Sequence, residues 1–225
     1  MHRLIIFILS LFCLEGVYSQ DFQGKIRYFY YSQGYNDSVQ NNYEESEWLM
    51  SFGKDKFKQE IINSESFLKG FVQLADVTNN KTYRYNLQYS KLPVNISKLD
   101  SCTSFKIYNE GKLTIAPMEK EAQKKILGYN SKRYKVVLDN FETDDLIFYC
   151  WATTDLIAAE PLRKNSLCIT HSQPVLFPEI KGIILELLTI NEKTKRVHLW
   201  RAMEIKQEEL KESEFEIPTQ LISDN

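Results

Sequence analysis

The chain has 225 residues, a near-neutral formal charge of −2, 43% hydrophobic residues and 13% aromatic ones. This charge balance gives no electrostatic reason to bind nucleic acid, and no basic block points to an anionic membrane surface. The length is enough to bury one full core and short for two comfortable domains.

In chain order, Met1 to Ser19 read as an export signal: a basic start at His2 and Arg3, an apolar run from Leu4 to Leu14 broken only by Ser10, and a cut expected ahead of Gln20. The run falls well short of the ~20 apolar residues that span a bilayer as a helix, and no later stretch reaches that length. An N-terminal anchor is the alternative reading, and the bulky Phe12 before Cys13 argues against a lipoprotein signal. The expectation is a cleaved leader over residues 1–19, one β-rich domain over residues 20–225, and no integral membrane segment after cleavage.

Gly24 to Ser32 alternates Ile26, Tyr28 and Tyr30 with Arg27, Phe29 and Tyr31, the period of two that shows one face of a strand to a core. Residues 33–43 are polar and read as a loop. Glu45 to Phe52 is a strand with Trp48, Met50 and Phe52 on one face. Gly53-Lys54-Asp55 turns it, and Lys56 to Ile61 returns with Phe57, Gln59 and Ile61. Phe67 to Val77 and Thr82 to Leu87 flank a tip at Thr78 to Lys81, where Asn tolerates the left-handed backbone of tight turns. Tyr89 to Asp100 reads as irregular because Pro93 bars a central strand. Cys102 to Tyr108 and Lys112 to Ile115 flank a turn at Asn109-Glu110-Gly111. Pro117 to Lys125 reads as a short helix with Pro at its first position.

Ile126 to Asp155 is the clearest hairpin. Tyr134, Val136 and Leu138 oppose Arg133 and Lys135, and Leu146, Phe148 and Cys150 alternate with Ile147, Tyr149 and Trp151 across a polar link at Asn140 to Asp145. Thr154 to Lys181 holds Pro161, Pro174 and Pro178 and no clean period, which reads as a surface crossover with a turn of helix. Gly182 to Ile190 and Lys195 to Ile205 form a second hairpin, with His198, Trp200 and Ala202 on one face of the return arm. Lys206 to Ser213 reads as a charged helix, and Phe215, Ile217 and Pro218 tuck the end down. The fold class is therefore mainly β: a curved antiparallel sheet of about ten strands with short helices and a long loop before Gly182.

Chemistry is sparse. No nucleophile elbow, phosphate loop, dinucleotide fingerprint or zinc-protease helix occurs, and no cofactor or metal is expected. Cys102, Cys150 and Cys168 follow the leader. Three is an odd number, so the structural role expected is one bridge with a thiol left free or simply buried thiols, and their long spacings do not suit zinc. Cys168 and His171 bring a thiol near an imidazole with no evident orienting partner, so no catalytic residue is assigned. Carboxylates such as Glu44, Glu45 and Glu47 read as solvated faces. Three Asn-x-Ser/Thr triplets, at Asn36, Asn80 and Asn95, matter only where exported proteins are glycosylated. The aromatics on strands are more telling. They either fill the core or, where the sheet curls, line an apolar cavity, with Tyr149, Trp151 and Trp200 as the lining residues.

Several short motifs form an ordered set: Lys125-Ile126-Leu127-Gly128-Tyr129, the strand through Tyr134 and Val136, Trp151 to Leu156, the Gly-apolar-apolar-Leu-Glu run at Gly182 to Glu186, and Phe215-Glu216-Ile217-Pro218. This set resembles exported proteins of the GLPGLI type and related uncharacterised envelope families of Gram-negative bacteria, grouped with the lipoprotein-carrier (LolA/LolB-like) superfamily. The resemblance covers about Lys125 to Pro218, and weakly the strands at Gly24 and Gly53. Two departures stand out. Ile180-Lys181-Gly182-Ile183-Ile184 replaces Leu-Pro-Gly-Leu-Ile, and Ser131 sits where the family often has Cys, which argues against a family-like disulfide there. The resemblance implies a half-barrel wrapped around short helices and a loop, a periplasmic setting and no assigned catalytic residue. Two functions follow as expectations. One is a non-enzymatic carrier of a hydrophobic or lipid-like ligand, with Thr154 to Lys181 as its lid. The other is an envelope interaction or assembly factor with a filled core and a protein partner. An exported hydrolase ranks third, because no nucleophile and base are spaced to support it.

Overall fold

A computed structural model of the chain describes residues 21–34, 42–65, 68–89, 93–99, 112–117, 123–139, 146–166, 176–177, 179–191 and 195–221. The first meander comprises β1 (Gly24–Gly34), β2 (Asn42–Phe52), β3 (Lys56–Ser64), β4 (Phe71–Asp76), β5 (Lys81–Asn86) and β6 (Asn95–Lys98). The second comprises β7 (Lys112–Pro117), β8 (Gln123–Ile126), β9 (Tyr129–Asp139), β10 (Leu146–Thr153), β11 (Ile183–Asn191) and β12 (Val197–Gln207). All pair antiparallel in one open, curved sheet of order β6-β5-β4-β3-β2-β1-β12-β11-β10-β9-β7, with β8 added on β9. The first and last strands meet in the middle, Tyr30 opposite Trp200, so the two meanders share one core.

The alternation read from sequence sets the inner face. Ile26, Tyr28, Trp48, Met50, Phe52, Phe57, Ile61, Val136, Phe148, Cys150, Leu187 and Trp200 are all buried in one cluster. Thr154 to Lys181 differs from the surface crossover expected. Leu156, Ala158, Ala159, Leu162, Leu176, Phe177 and Ile180 are buried in that same cluster, so these residues pack into the concave face. The short helix α1 (Glu160–Lys164) in this segment is too short to be stable alone and forms because Leu162 is buried. Phe22 holds the segment from the other side, donating its N–H to the Ile157 carbonyl at 2.6 Å and bridging Ala158. The Phe177 ring meets Phe148 edge-on at 5.9 Å.

Four other expectations change. The helix expected over Pro117 to Lys125 is instead the end of β7 and then β8, within the described residues. Leu127 (φ 50°) and Gly128 (φ 90°) reverse the chain between β8 and β9 as a two-residue hairpin turn with both central residues left-handed. The charged helix at Lys206 to Ser213 is β12 running on to Gln207, followed by a 3-10 turn at Glu212–Phe215. The strand expected from Phe67 starts at Phe71, after a turn whose Gly70 has φ 80°. The irregular stretch before Asp100 contains β6, an exposed edge strand. Asn80 adopts φ 53° at the tip expected for it. Phe215 is buried against Gly53, and Ile217 and Leu221 pack on Val72 and Tyr85, so the C-terminal segment covers the outer face at that side of the sheet. Lys25–Glu214 at 3.0 Å and Lys56–Glu212 tie it down. Among the described residues no helix is long and apolar enough to cross a membrane. The leader, the Asn140 to Asp145 link, the turn at Asn109, Cys102, Cys168 and His171 lie outside the described residues.

Candidate functional site

Two aromatic groups occupy opposite faces of the same sheet. The inner group centres on Trp200, which is 2% exposed. Its ring lies 4.6 Å from Tyr30, 5.2 Å from Trp48 and 6.4 Å from Tyr28, in tilted or edge-on arrangements. The polar ends of these rings find partners within the protein, as buried aromatics of this kind usually do. Tyr28 donates its hydroxyl to the Ile184 carbonyl at 2.7 Å, and Trp48 donates its indole N–H to Ser46 Oγ at 2.9 Å. Burial pushes the Tyr28 phenol far above its ordinary value. At the rim, Tyr30 and His198 share a 2.8 Å hydrogen bond with stacked rings, and burial, then the nearby Arg196, lowers the His198 pKa.

The outer group comprises Tyr149 and Trp151, both half-buried. They alternate with Phe148 and Cys150, and it is Cys150 that lies in line with Leu187 and Trp200. The three residues read as one lining therefore do not share a surface: Trp200 faces the core, and Tyr149 and Trp151 face out. On the outside they stack under cations. Lys124 Nζ lies 4.4 Å from the Trp151 ring centre, and the Arg133 guanidinium lies 5.2 Å from Tyr149 and 5.9 Å from Trp151. Glu186 ties this group together, accepting from Lys124 at 2.7 Å and Arg201 at 3.3 Å. Lys124 and Arg201 carry no signal in the sequence, because both need the pairing of separate strands to reach Glu186.

The nucleophile candidates fare differently. Cys150 is a free, buried thiol, and burial pushes its pKa up from 9.0 to about 12. A thiol so held is a packing group, since the thiolate is the reactive form. Cys150 should resist iodoacetamide in the native protein and react once urea unfolds it, which peptide mass mapping reads directly. The sign of its pH effect follows. The unfolded chain loses this proton first as pH rises past 9, so stability falls between pH 9 and about 12 through this group, and Cys150→Ala should remove that part of the loss. Among the described residues no group of three or more His, Cys, Asp or Glu is placed to hold a metal ion.

Two clefts formed by described residues lie away from the concave face. One of about 620 Å3 is lined by Phe29, Glu44, Glu45, Ser46, Glu47, Asn63, Ser64 and Glu65, where β3 ends short of β2. Another of about 540 Å3 lies between Gly53–Lys56 and the C-terminal segment at Glu209–Glu212. Trp200, Trp48 and Phe177 line neither.

No family model matches the chain, and no curated protein sequence matches it. Solved structures of similar shape include an uncharacterized conserved protein from Thermus thermophilus, at 12% identity over 85% of each chain with a TM-score of 0.43. A LolA superfamily protein from Nitrosomonas europaea matches at 7% identity over 88% of this chain and 91% of its own, with a TM-score of 0.39. MucB matches at 10% identity over 88% of this chain and 58% of its own, with a TM-score of 0.41. All three scores fall below 0.5, too distant a likeness to transfer a role.

Proposed function

We propose that this chain is a non-enzymatic, exported envelope protein that works by contact with another protein, its concave face being occupied by its own crossover segment. The observation that carries this reading is the filling of the half-barrel. A carrier needs room on the concave face, and there Trp200, Trp48, Tyr28 and Tyr30 pack ring against ring while Leu162, Phe177 and Ile180 cover the space between the strands. Close-packed interiors leave few voids larger than a water molecule. The chemistry agrees, since the described cysteine is buried as a thiol and the described histidine is engaged by Tyr30. The export signal read at residues 1–19 and the resemblance to envelope families support a periplasmic site of action.

Native mass spectrometry of the protein released gently from its own envelope, followed by solvent extraction, tests this. The expected result is a protein mass without stoichiometric lipid, together with a reproducible protein cross-link in whole cells. A lipid bound near one per chain overturns the reading and restores the carrier with its crossover as a lid.

A further inference from the structure

The outer face of strands β9, β10, β11, β12, β1 and β2 carries a surface that is its own complement. Register aligns its side chains in rows across the six strands. One row reads Lys135, Tyr149, Leu188, Leu199, Tyr31, Glu45. The next reads Arg133, Trp151, Glu186, Arg201, Phe29, Glu47. Beyond the first, on its other side, Val137, Ile147, Ile190 and Val197 continue the apolar surface. Each of these apolar side chains is half-buried. Six strands at ~4.8 Å and three rows at ~6.8 Å give a face of roughly 600 Å2 in projection. Ten of the sixteen side chains named are apolar or aromatic and six are charged, and the face as a whole approaches the ~800 Å2 per partner of a specific interface.

We propose that this face docks against a second copy of the chain, through a two-fold axis running parallel to the strands between β11 and β12. The proposal rests on the protein-contact reading above and names the partner. Turning a copy about that axis reverses the order of the strands and keeps each row on itself. Leu188 then meets Leu199 of the partner subunit, Tyr149 meets the partner's Tyr31, and Lys135 meets the partner's Glu45. In the second row Glu186 meets the partner's Arg201, Trp151 meets the partner's Phe29, and Arg133 meets the partner's Glu47. Within these two rows each charge faces its opposite and each ring a ring, the self-complementarity of an isologous interface. A two-fold across the strands lays β9 on β9 and sets Lys135 against its own copy, so the pattern selects one axis. Charge complementarity of this kind fixes register and rejects wrong partners.

Two further observations fit. The face is convex, so two copies touch first at the centre and diverge outward. In the first row the short Leu188 and Leu199 stand at the middle, with Tyr149 and Tyr31 beside them and Lys135 and Glu45 at the ends. The ends are also prepared for each other. The acidic cleft of about 620 Å3 lies at Glu45 and Glu47, where the partner's Lys135 and Arg133 arrive, and among the described residues Glu44, Glu45 and Glu65 form no ion pair. Arg133 has a buried Nε with no hydrogen-bond partner. A lipid surface fits less well, because the same face ends in carboxylates.

Charge swapping tests this in the full chain, expressed with its leader and purified from the exporting host. Sedimentation equilibrium should show a monomer–dimer equilibrium. Lys135→Glu and Glu45→Lys should each raise its dissociation constant about tenfold or more, since each places like charges together twice per dimer. The double variant should return to within about threefold of the parent, because the pair is restored in reverse. Urea midpoints that are unchanged at dilutions where every variant is monomeric show that the variants fold. A monomer up to about 100 µM, the weak end for a specific pair, overturns the proposal, as does a dimer indifferent to Lys135→Glu. Binding to phosphatidylglycerol vesicles that weakens with Lys135→Glu and strengthens with Glu45→Lys also overturns it and gives the face to an anionic membrane. A monomer free of lipid leaves the protein-contact reading standing with a different partner, whereas co-purified lipid removes that reading itself.

Discussion

Trp200→Ala will unfold much of what holds the two meanders together, lowering stability by roughly 3–5 kcal/mol. The indole sits where β12 pairs with β1, against Tyr30, Trp48 and Tyr28, and is 2% exposed. Its removal loses the transfer energy of a large buried ring and leaves a cavity that neighbouring rings, anchored by hydrogen bonds to Ile184 and Ser46, are poorly placed to fill. Against a usual total of about 5–15 kcal/mol, that is a large share. Trp151→Ala supplies the contrast. Trp151 is half-buried on the outer face, and its neighbours are the flexible Lys124 and Arg133. The expected cost there is about 1–2 kcal/mol. Urea unfolding with an unchanged m-value reads both. A Trp200→Ala loss under about 1 kcal/mol means that Trp200 lines open space and the inner face is a pocket after all.

Most of the sheet is legible because one face of each strand is buried and the other is not. Ile26, Tyr28 and Tyr30 on β1, and Phe148 and Cys150 on β10, announce their inner face by a period of two. On β4, Val72 to Asp76 are all buried, since Val72 packs under Leu221 on the outside while Ala75 joins the main core. There alternation carries no information. The hairpin at Leu127-Gly128 was hidden by the polar run Gln123-Lys124-Lys125, which pairs as an edge and so needs no apolar face. The filling of the barrel was illegible for a different reason. Residues 154–180 show no period, and the burial of those described, such as Leu156, Leu162 and Phe177, is set by strands far along the chain and by Phe22. The candidate site failed as a single surface for want of register. Alternation within β10 separates Trp151 from Cys150, but which of them aligns with Trp200 depends on pairing through β11. Bulges at Trp151/Ala152 and Arg27/Tyr28 shift that parity again.

Gly182→Ala is the second substitution with a large expected effect, and its cause is space rather than dihedral angle. Gly182 is where the crossover re-enters the sheet ahead of β11, and a Cβ there comes within 1.7 Å of the Thr153 carbonyl oxygen and 2.4 Å of its carbon. Both atoms are backbone, so no side-chain rotation relieves the contact. The ends of β10 and β11 would have to part by more than an ångström. Ile183 donates to the Leu156 carbonyl at 3.1 Å immediately beyond, and Ile183, Ile184 and Leu185 are buried, so parting the strands also disturbs the seat of the crossover. The expected cost is roughly 3–5 kcal/mol, at the upper end for overpacking. Gly128→Ala isolates the other reason for glycine. Its φ is 90° and a Cβ there meets nothing within 4 Å, so only the left-handed backbone penalty of roughly 1–2 kcal/mol applies. Urea midpoints of the two variants should therefore separate widely. Equal, small losses would mean that the close approach of β10 to Gly182 yields readily, and that the glycine of the Gly-apolar-apolar-Leu-Glu run does not set how the crossover enters the barrel.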